Sequence, residues 1–464
     1  MIHILNIYLK SNKITCVKMN LYLFNTMSGK KELFEPINAN DIKLYVCGPT
    51  TYQIPHIGNF RTFIVFDTLV RLLQSIYSKV TYVRNVTNID DKIIIEAQKH
   101  EISIENLTHN VYVKFRDECN QLNLLTPDHE PHATDYISQM IEHIEEMIKN
   151  KYAYVSDEEV LFDTSKCSKY LALAPHERLD FGNRVEINKN KKNFADFVLW
   201  KKTTKPNWQS PWGHGRPGWH IECTTMSKNL LSFPFDIHGG GQDLIFPHHT
   251  NERAQCYALH NIECAKYWMH NHFITIDKSK MSKSIGNVMY LSNLTKKYSA
   301  MSIKLAILMT HYRHPLNWKN EKIQEAQNIY DKWIRIKSKY HSNALKIDIE
   351  NEKSKFEVIS SVYEALLDDL NTSLAVQCLH RAIQNCKNEY QWQKIENSLS
   401  LLGIKLEAPS HKIDEKAVKK LIEKRDEARK IKDFATADSI RKQLKLMNIE
   451  IDDTKDGTKW KVKC

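Results

Sequence analysis

Between residues 42 and 99 the chain alternates twice between a short apolar run and an apolar helical period, and this pattern limits the fold more than any other feature. Residues 42–46 read as a buried strand leading to the turn-forming Gly48-Pro49, after which 60–73 carry apolar residues at helical spacing. Residues 80–86 then read as a second strand and 90–99 as a second helix. Strand, helix and strand in that order predict an α/β domain: a parallel sheet covered by helices, of which this stretch is one half.

From about 110 to 204 the pattern turns irregular and polar, including Asn188-Lys189-Asn190-Lys191-Lys192, which predicts an insertion whose ends return close together. The second half resumes near Trp219, with Asp236-Ile237-His238 as a strand end, Gly239-Gly240-Gly241 as a tight turn and a helix over 251–260. A further strand is expected near 270–276. After about 288 the composition is that of amphipathic helices with short polar breaks. The expected layout is an extension (1–22), a first half-domain (23–110), the insertion (111–204), a second half-domain (205–288), two helical regions (289–340 and 341–408) and a small C-terminal region (409–464).

Composition sets outer bounds. A chain of 464 residues with 42% hydrophobic content holds several cores, about three domains by length. A formal charge of +11 raises the weight of a polyanionic partner. The last region is the most basic, with 13 Lys and 3 Arg against 11 acidic residues over 411–464. Its Arg429, Lys430, Lys432 and Arg441 suit phosphate contacts, which fix position without reading sequence. Ten cysteines without a CxxC pair predict isolated thiols in a reducing, cytosolic compartment. No apolar run reaches the length of a membrane span. Residues 1–18 contain no acidic residue and no Arg, and read as an upstream extension rather than a targeting peptide.

Two signatures lie more than two hundred positions apart: His56-Ile57-Gly58-Asn59 and Lys280-Met281-Ser282-Lys283-Ser284. Together they resemble the two nucleotide-handling motifs of class I aminoacyl-tRNA synthetases. The resemblance narrows to the cysteinyl-tRNA synthetase family through Leu44-Tyr45-Val46-Cys47-Gly48-Pro49-Thr50, Pro217-Gly218-Trp219-His220-Ile221-Glu222-Cys223 and Phe246-Pro247-His248-His249-Thr250-Asn251-Glu252. It runs from about 23 to 460. It implies a Rossmann-like class I catalytic domain with an insertion, then stem-contact helices, a helical bundle and a C-terminal anticodon-binding region. The substrates implied are L-cysteine, ATP with Mg²⁺, and tRNA(Cys), handled by a monomer.

The same resemblance places one zinc ion on Cys47, Cys223, His248 and Glu252. The residues add that His248 and Glu252, four apart, project from one face if their segment is helical. Thiolates, an imidazole and a carboxylate are acceptable zinc ligands. His249, Cys256 and Cys264 are left as structural. A substrate cysteine offers a thiolate where serine offers an alcohol, so metal bonding supplies a discrimination that pocket shape alone does not. Four protein ligands normally mark a closed site, so either a fifth ligand position or a loosened Glu252 is expected.

His56 and Asn59 fall at a predicted helix start, where free N–H groups and the dipole favour phosphates. Asn59 stands where the family motif usually has a second histidine; it keeps a hydrogen-bond donor and cannot become cationic. The resemblance gives Lys280 and Lys283 the charge that builds on phosphate oxygens and pyrophosphate, on a loop that closes over ATP. It also brings Gly48 and Thr50 to the cysteine or adenylate, Thr87 to the amino acid, and Trp219, His238 and Asp243 to the wall of the adenylate pocket. Two rivals stay open: a ligase joining cysteine to an amino sugar, and a catalytically silent tRNA-binding paralogue. The tail segments Lys432-Asp433-Phe434-Ala435-Thr436-Ala437-Asp438 and Gly457-Thr458-Lys459-Trp460 match the synthetase pattern and weigh against the first; the two lysines and four ligand residues weigh against the second.

Overall fold

The computed structural model describes residues 20–157, 159–175, 191–276, 279–281, 286–341, 357–407, 415–446, 449–454 and 457–462. The extension over 1–18 lies outside them. The chain divides into two compact units, Met1–Ala326 with Lys353–Ile404, and Gln327–Glu352 with Lys405–Cys464.

The first unit opens with the hairpin β1 (Tyr22–Asn25) and β2 (Lys30–Leu33). β3 (Ile42–Val46), α1 (Ile57–Ile76) and β4 (Val80–Arg84) follow, then α2 (Asp91–Lys99), α3 (Ile104–Gln121) and α4 (Ile137–Lys149). β5 (Ala153–Ser156), β6 (Glu159–Phe162), β7 (Phe197–Lys202) and β8 (Gly215–Pro217) form an antiparallel sheet in sequence order. The chain then returns through α5 (Trp219–Leu231), β9 (Phe235–Gly241), α6 (Thr250–His260) and β10 (Ala265–Asn271).

β10, β9, β3 and β4 make one sheet in that order, and every pairing is parallel. β3 and β4 come from the first half of the domain and β9 and β10 from the second, so the direction of chain travel reverses between β3 and β9. In such sheets ligands bind beyond the carboxyl ends of the strands at that reversal. β3 is buried on nearly every residue because helices cover both faces of a parallel sheet. α1 is packed on most sides, with Phe60, Phe63, Ile64, Phe66, Leu69, Leu72 and Leu73 all buried. Each such side chain contributes about 1.5–3 kcal/mol relative to exposure.

Two expectations change. Gly239-Gly240-Gly241 is not a turn but the last three residues of β9, paired along β10. The glycines make room for neighbours: a Cβ at Gly239 would sit in the Phe66 ring, and one at Gly240 would lie 2.9 Å from both His249 and Leu244. The stretch after 110 is less irregular than its polarity implies. The boundary drawn at 110 falls inside α3, whose buried stripe of Leu107, Val111 and Phe115 crosses it, and the boundary at 204 separates β7 from its partner β8.

α4 and α5 are joined by a buried polar contact: His143 lies 6% exposed, with Nδ1 2.9 Å from Thr225 Oγ1. Burial chiefly, with Lys228 and His260 nearby, pushes the His143 imidazole down from 6.5 to about 3. The folded chain therefore holds the ring neutral while the unfolded chain does not. That contribution is whole above about pH 6.5 and is withdrawn as pH falls toward about 3. The denaturation midpoint is expected to fall on acidification through this window, and to fall less steeply in His143→Gln; parallel profiles for the two proteins would contradict it.

After β10 come β11 (Ile274–Ile276), β12 (Ser279–Lys280), α7 (Ala300–Leu308) and β13 (Leu316–Asn317); β11 pairs β12 antiparallel and β13 parallel. α8 (Asn320–His341) begins in this unit and continues in the other. α9 (Ser360–Leu367), α10 (Thr372–Gln384) and α11 (Glu389–Leu401) complete the first unit. The second unit holds α12 (Glu415–Lys430), α13 (Phe434–Leu446) and the hairpin β14 (Ile449–Thr454) and β15 (Gly457–Val462). Val418, Ile422, Ile440, Leu444 and Ile449 form its core, and buried Arg425 braces the hairpin through both oxygens of Asp453, at 2.9 and 2.8 Å. Among the described residues no helix is long and apolar enough to cross a membrane.

Candidate functional site

The carboxyl ends of β3, β9 and β10 open onto a cavity of about 400 Å³. Cys47, Gly48 and Thr50 follow β3; Gly241 ends β9, with Asp243 and Leu244 after it; Asn271 ends β10, with His272 and Phe273 after it; and His56, Gly58 and Asn59 bring the first turn of α1. Trp219, at the start of α5, closes one side, and Met281 after β12 closes another. Gly48 is required by the close approach of two strand ends: a Cβ there would overlap the Asn85 carbonyl, while the Gly48 N–H donates to Asn85 Oδ1 at 2.9 Å. Thr87 does not line the cavity. It is 2% exposed and fixes the loop after β3, donating its N–H to Pro49 O and accepting from Thr51 N, both at 3.0 Å.

The first signature forms a closed cap. The His56 ring accepts from Asn59 N at 3.3 Å and His56 N donates to Asn59 Oδ1 at 3.1 Å, a reciprocal capping box on α1. Ile57 N donates to Met289 O at 2.8 Å. The helix start is therefore less rich in free amides than its sequence position implies, and its attraction for phosphate rests on the dipole. Asn59 supplies the side-chain acceptor that completes the cap, a role open to it as a short amide. Of the second signature, Lys280 pairs with Thr275 across β12 and β11, and Met281, 3% exposed, donates its N–H to Ile274 O at 3.0 Å. Lys283 lies outside the described residues.

Cys47, Cys223, His248 and Glu252 converge. One ligand atom from each lies within 4.8 Å of all the others, and all four residues are buried. Cys47 arrives from the end of β3, Cys223 from α5, and His248 and Glu252 from the turn into α6. Cys47 Sγ is 3.8 Å from Cys223 Sγ and 3.7 Å from Glu252 Oε1. His248 Nε2 stands 3.0 Å from Glu252 Oε1, yet it is a buried atom with no hydrogen-bond partner. Two sulfurs, an imidazole nitrogen and a carboxylate oxygen, buried together and facing one point, are what residues sharing a cation present.

Charge in the cluster is sharply polarised. The hydrogen bond from Cys47, aided by His248, brings the Cys223 thiol down to about 6 against the opposition of burial. Burial and the Cys223 and Glu252 charges push the Cys47 thiol well up, so Cys47 keeps its proton and donates. Burial alone would favour neutral Glu252, but His238 and His248 outweigh it and hold the carboxyl at about 2. For His248, burial is likewise outweighed by Glu252 and Cys223, which raise it to about 10.

An outer layer fixes these groups. His238 was expected in the wall of the pocket, but it sits behind the cluster, 1% exposed, with Nε2 2.9 Å from Glu252 Oε2, and its ring stacks on Trp268 at 4.6 Å. His220 Nδ1 meets His248 Nδ1 at 2.9 Å, and Trp219 stacks on the His248 ring at 4.1 Å. Such partners set the orientation and tautomer of a metal-facing ring. His249, left as structural on sequence, enters the cluster: its Nε2 is 3.3 Å from Cys47 Sγ and its Nδ1 2.8 Å from His270 Nε2, so Cys47, His238, His249 and Glu252 form a second overlapping donor set. Both His249 nitrogens have partners, whereas His248 Nε2 has none, which favours the first set. The signal that sequence reading passed over is the doubled histidine at three and four residues before Glu252.

Residues 33–328 match the model of the class I (C) tRNA synthetase catalytic domain. The chain is 39% identical over 462 residues to the cysteine–tRNA ligase of Pelagibacter ubique, covering 96% of this chain and 99% of that protein. The chain belongs to the cysteinyl-tRNA synthetase family. The cysteine–tRNA ligase of Rickettsia bellii is 42% identical over 463 residues, covering 95% of this chain and 99% of that one. The fold extends more widely in class I: a Mycobacterium tuberculosis methionyl-tRNA synthetase in complex with methionyl-adenylate superposes with a TM-score of 0.56 at 14% identity, over 78% of this chain and 89% of that one.

Proposed function

We propose that the chain activates L-cysteine with ATP and transfers it to the 3′ end of tRNA(Cys), releasing pyrophosphate and AMP. The observation that carries this reading is the gathering of Cys47, Cys223, His248 and Glu252 beside the cavity that also receives the first turn of α1. Cys47 and Trp219 belong to both the cluster's surroundings and the cavity wall, so a side chain entering there meets a sulfur-rich donor set.

The donor set fits zinc: two thiols, an imidazole with an orphaned nitrogen, and a carboxylate. When bound, the ion supplies a soft Lewis-acid centre for the substrate's thiolate, which an alcohol does not match. Glu252 is held through Oε2 by His238, which leaves Oε1 as its ligand atom and makes Glu252 a fixed rather than a loose member. Gly48 and Thr50 border the reacting carboxylate, and Asp243 and the end of β9 border the adenylate. The cap at His56 and Asn59 sets the first turn of α1 against the phosphates. Lys280 and Lys283, with Mg²⁺ on the triphosphate, offset the charge that grows on departing pyrophosphate. The reading is of a cytoplasmic monomer whose second unit, with exposed Lys430, Lys432 and Arg441, contacts tRNA; Arg429 is paired with Asp453 at 2.6 Å.

Cysteine-dependent exchange of pyrophosphate into ATP tests the first step, and the zinc-loaded protein is expected to catalyse it without tRNA. Comparing tRNA with an amino sugar as acceptor tests the second, with charging of tRNA alone expected. Absence of exchange would remove the activation step, and transfer to the sugar would replace the acceptor.

A further inference from the structure

A second cavity, of about 660 Å³, lies between α2, α3 and the segment ending in Tyr290 and Ser292. It shares Tyr52 and Gln53 with the cavity that receives the amino acid, so the two are neighbours across one wall. Nothing in amino-acid activation needs this space. We propose that it takes a nucleobase of the unpaired acceptor end of tRNA, next to the terminal adenosine, and that Glu96 selects cytosine; the proposal rests on the aminoacylation reading.

The chemistry of the wall is that of a base pocket. Tyr52 and Tyr290 offer aromatic surface, and Leu107 and Val111 of α3 an apolar floor. Unpaired RNA bases are recognised by stacking on such surfaces and by hydrogen bonds to their Watson–Crick edges. Glu96 provides the hydrogen bonds. Its side chain is 14% exposed, and Gln53 Nε2 at 3.1 Å and His100 Nε2 at 3.0 Å both hold Oε1. Oε2 takes no hydrogen bond among the described residues. An oriented carboxylate oxygen accepts from the exocyclic amino group of cytosine and meets repulsion from the carbonyl that uracil carries there. Lys114 is exposed at the rim, placed for a backbone phosphate. Position agrees with chemistry: the terminal ribose must reach the adenylate, so the preceding nucleotides lie just outside that cavity.

The test uses full-length, zinc-loaded protein and two tRNAs that differ by cytidine or uridine at the position before the terminal adenosine. For the wild type, kcat/KM for charging and the affinity for uncharged tRNA are expected to fall about tenfold on the change to uridine. In Glu96→Gln, whose amide donates to the uracil carbonyl, that preference shrinks to about twofold or less. Asn110→Trp, which fills the cavity from α3, lowers charging of both tRNAs about tenfold or more, as loss of one stacked base does. Both variants keep cysteine-dependent pyrophosphate exchange at the wild-type rate. A wild-type preference below twofold in both readouts, or exchange falling in step with charging, would overturn the proposal. Loss of exchange in the wild type counts against the activation reading instead, while the base preference in tRNA affinity still decides the cavity.

Discussion

Cys223→Ser is expected to lose stoichiometric zinc and, with it, most cysteine activation. The residue is 1% exposed and changes by one atom, so the fold has little reason to respond beyond the about 1–3 kcal/mol of a buried hydroxyl. The chemistry changes more. In the folded chain the Cys223 thiol is the one brought down to about 6, by the hydrogen bond from Cys47, and so is the thiolate that the cluster prepares. A serine hydroxyl cannot take that charge. Removing even a supporting residue around a metal costs about 10–100-fold, and removing a ligand costs at least as much, so kcat/KM for cysteine should fall by about 100-fold or more. Discrimination against serine should fall further. A site that demands one bonding group rejects its lookalike by about 10⁴, whereas pocket shape alone manages only about 10². Pyrophosphate exchange with each amino acid, beside metal content per chain, reads all three quantities. A variant that kept one zinc per chain and the parent cysteine-to-serine ratio would end this account of selectivity.

Arg61→Lys should be the most damaging conservative change in the sheet-covering helix α1. The Arg61 guanidinium is 1% exposed and donates to five carbonyls: His272, Phe273, His311, Tyr312 and His314, at 2.6 to 3.4 Å. Burial lowers its pKa to about 10, and no carboxylate appears among these partners. A lysine brings three donors at most, in a compact head that does not span the fork. At least two of the guanidinium's bonds are then lost, while the carbonyls of Tyr312, Phe273, His311 and His272 keep a second donor in His272 N, Leu316 N, His314 N and Asn271 Nδ2, so the loss of stability should be about 1–3 kcal/mol. The effect reaches the site as well, because His272 and Phe273 line the cavity. A fall in the urea midpoint at unchanged slope, together with a raised KM for ATP, is the expected pair. A midpoint shift below about 1 kcal/mol would show that the guanidinium adds little to the donors these carbonyls already have.

Sequence reading reached the first half of the sheet almost residue for residue, because β3 is a short apolar run closed by Gly48-Pro49 and α1 is long and strongly periodic. It failed where packing overrides local preference. Three consecutive glycines read as a turn, but in β9 they are strand residues thinned to admit Phe66, His249 and Leu244, which only the assembled layers reveal. Length and polarity hid the order of 110–204, since the antiparallel strands there are short and pair across a break in the pattern. The four residues of the donor cluster were reached through family resemblance, and their geometry could not have come from spacing, with Cys47 and Cys223 176 positions apart. His238 and His249 were misplaced for one reason: whether a histidine faces a cavity, a carboxylate or a thiol depends on side-chain direction at a strand end, which one-dimensional periodicity does not encode.

The central claim is that the substrate's own sulfur joins the cluster. X-ray absorption at the zinc edge of the purified protein, with and without cysteine, tests it directly. Two sulfur scatterers, from Cys47 and Cys223, should become three when cysteine is added and remain two with serine. An unchanged sulfur count, or protein that activates cysteine while holding no zinc, would contradict the account.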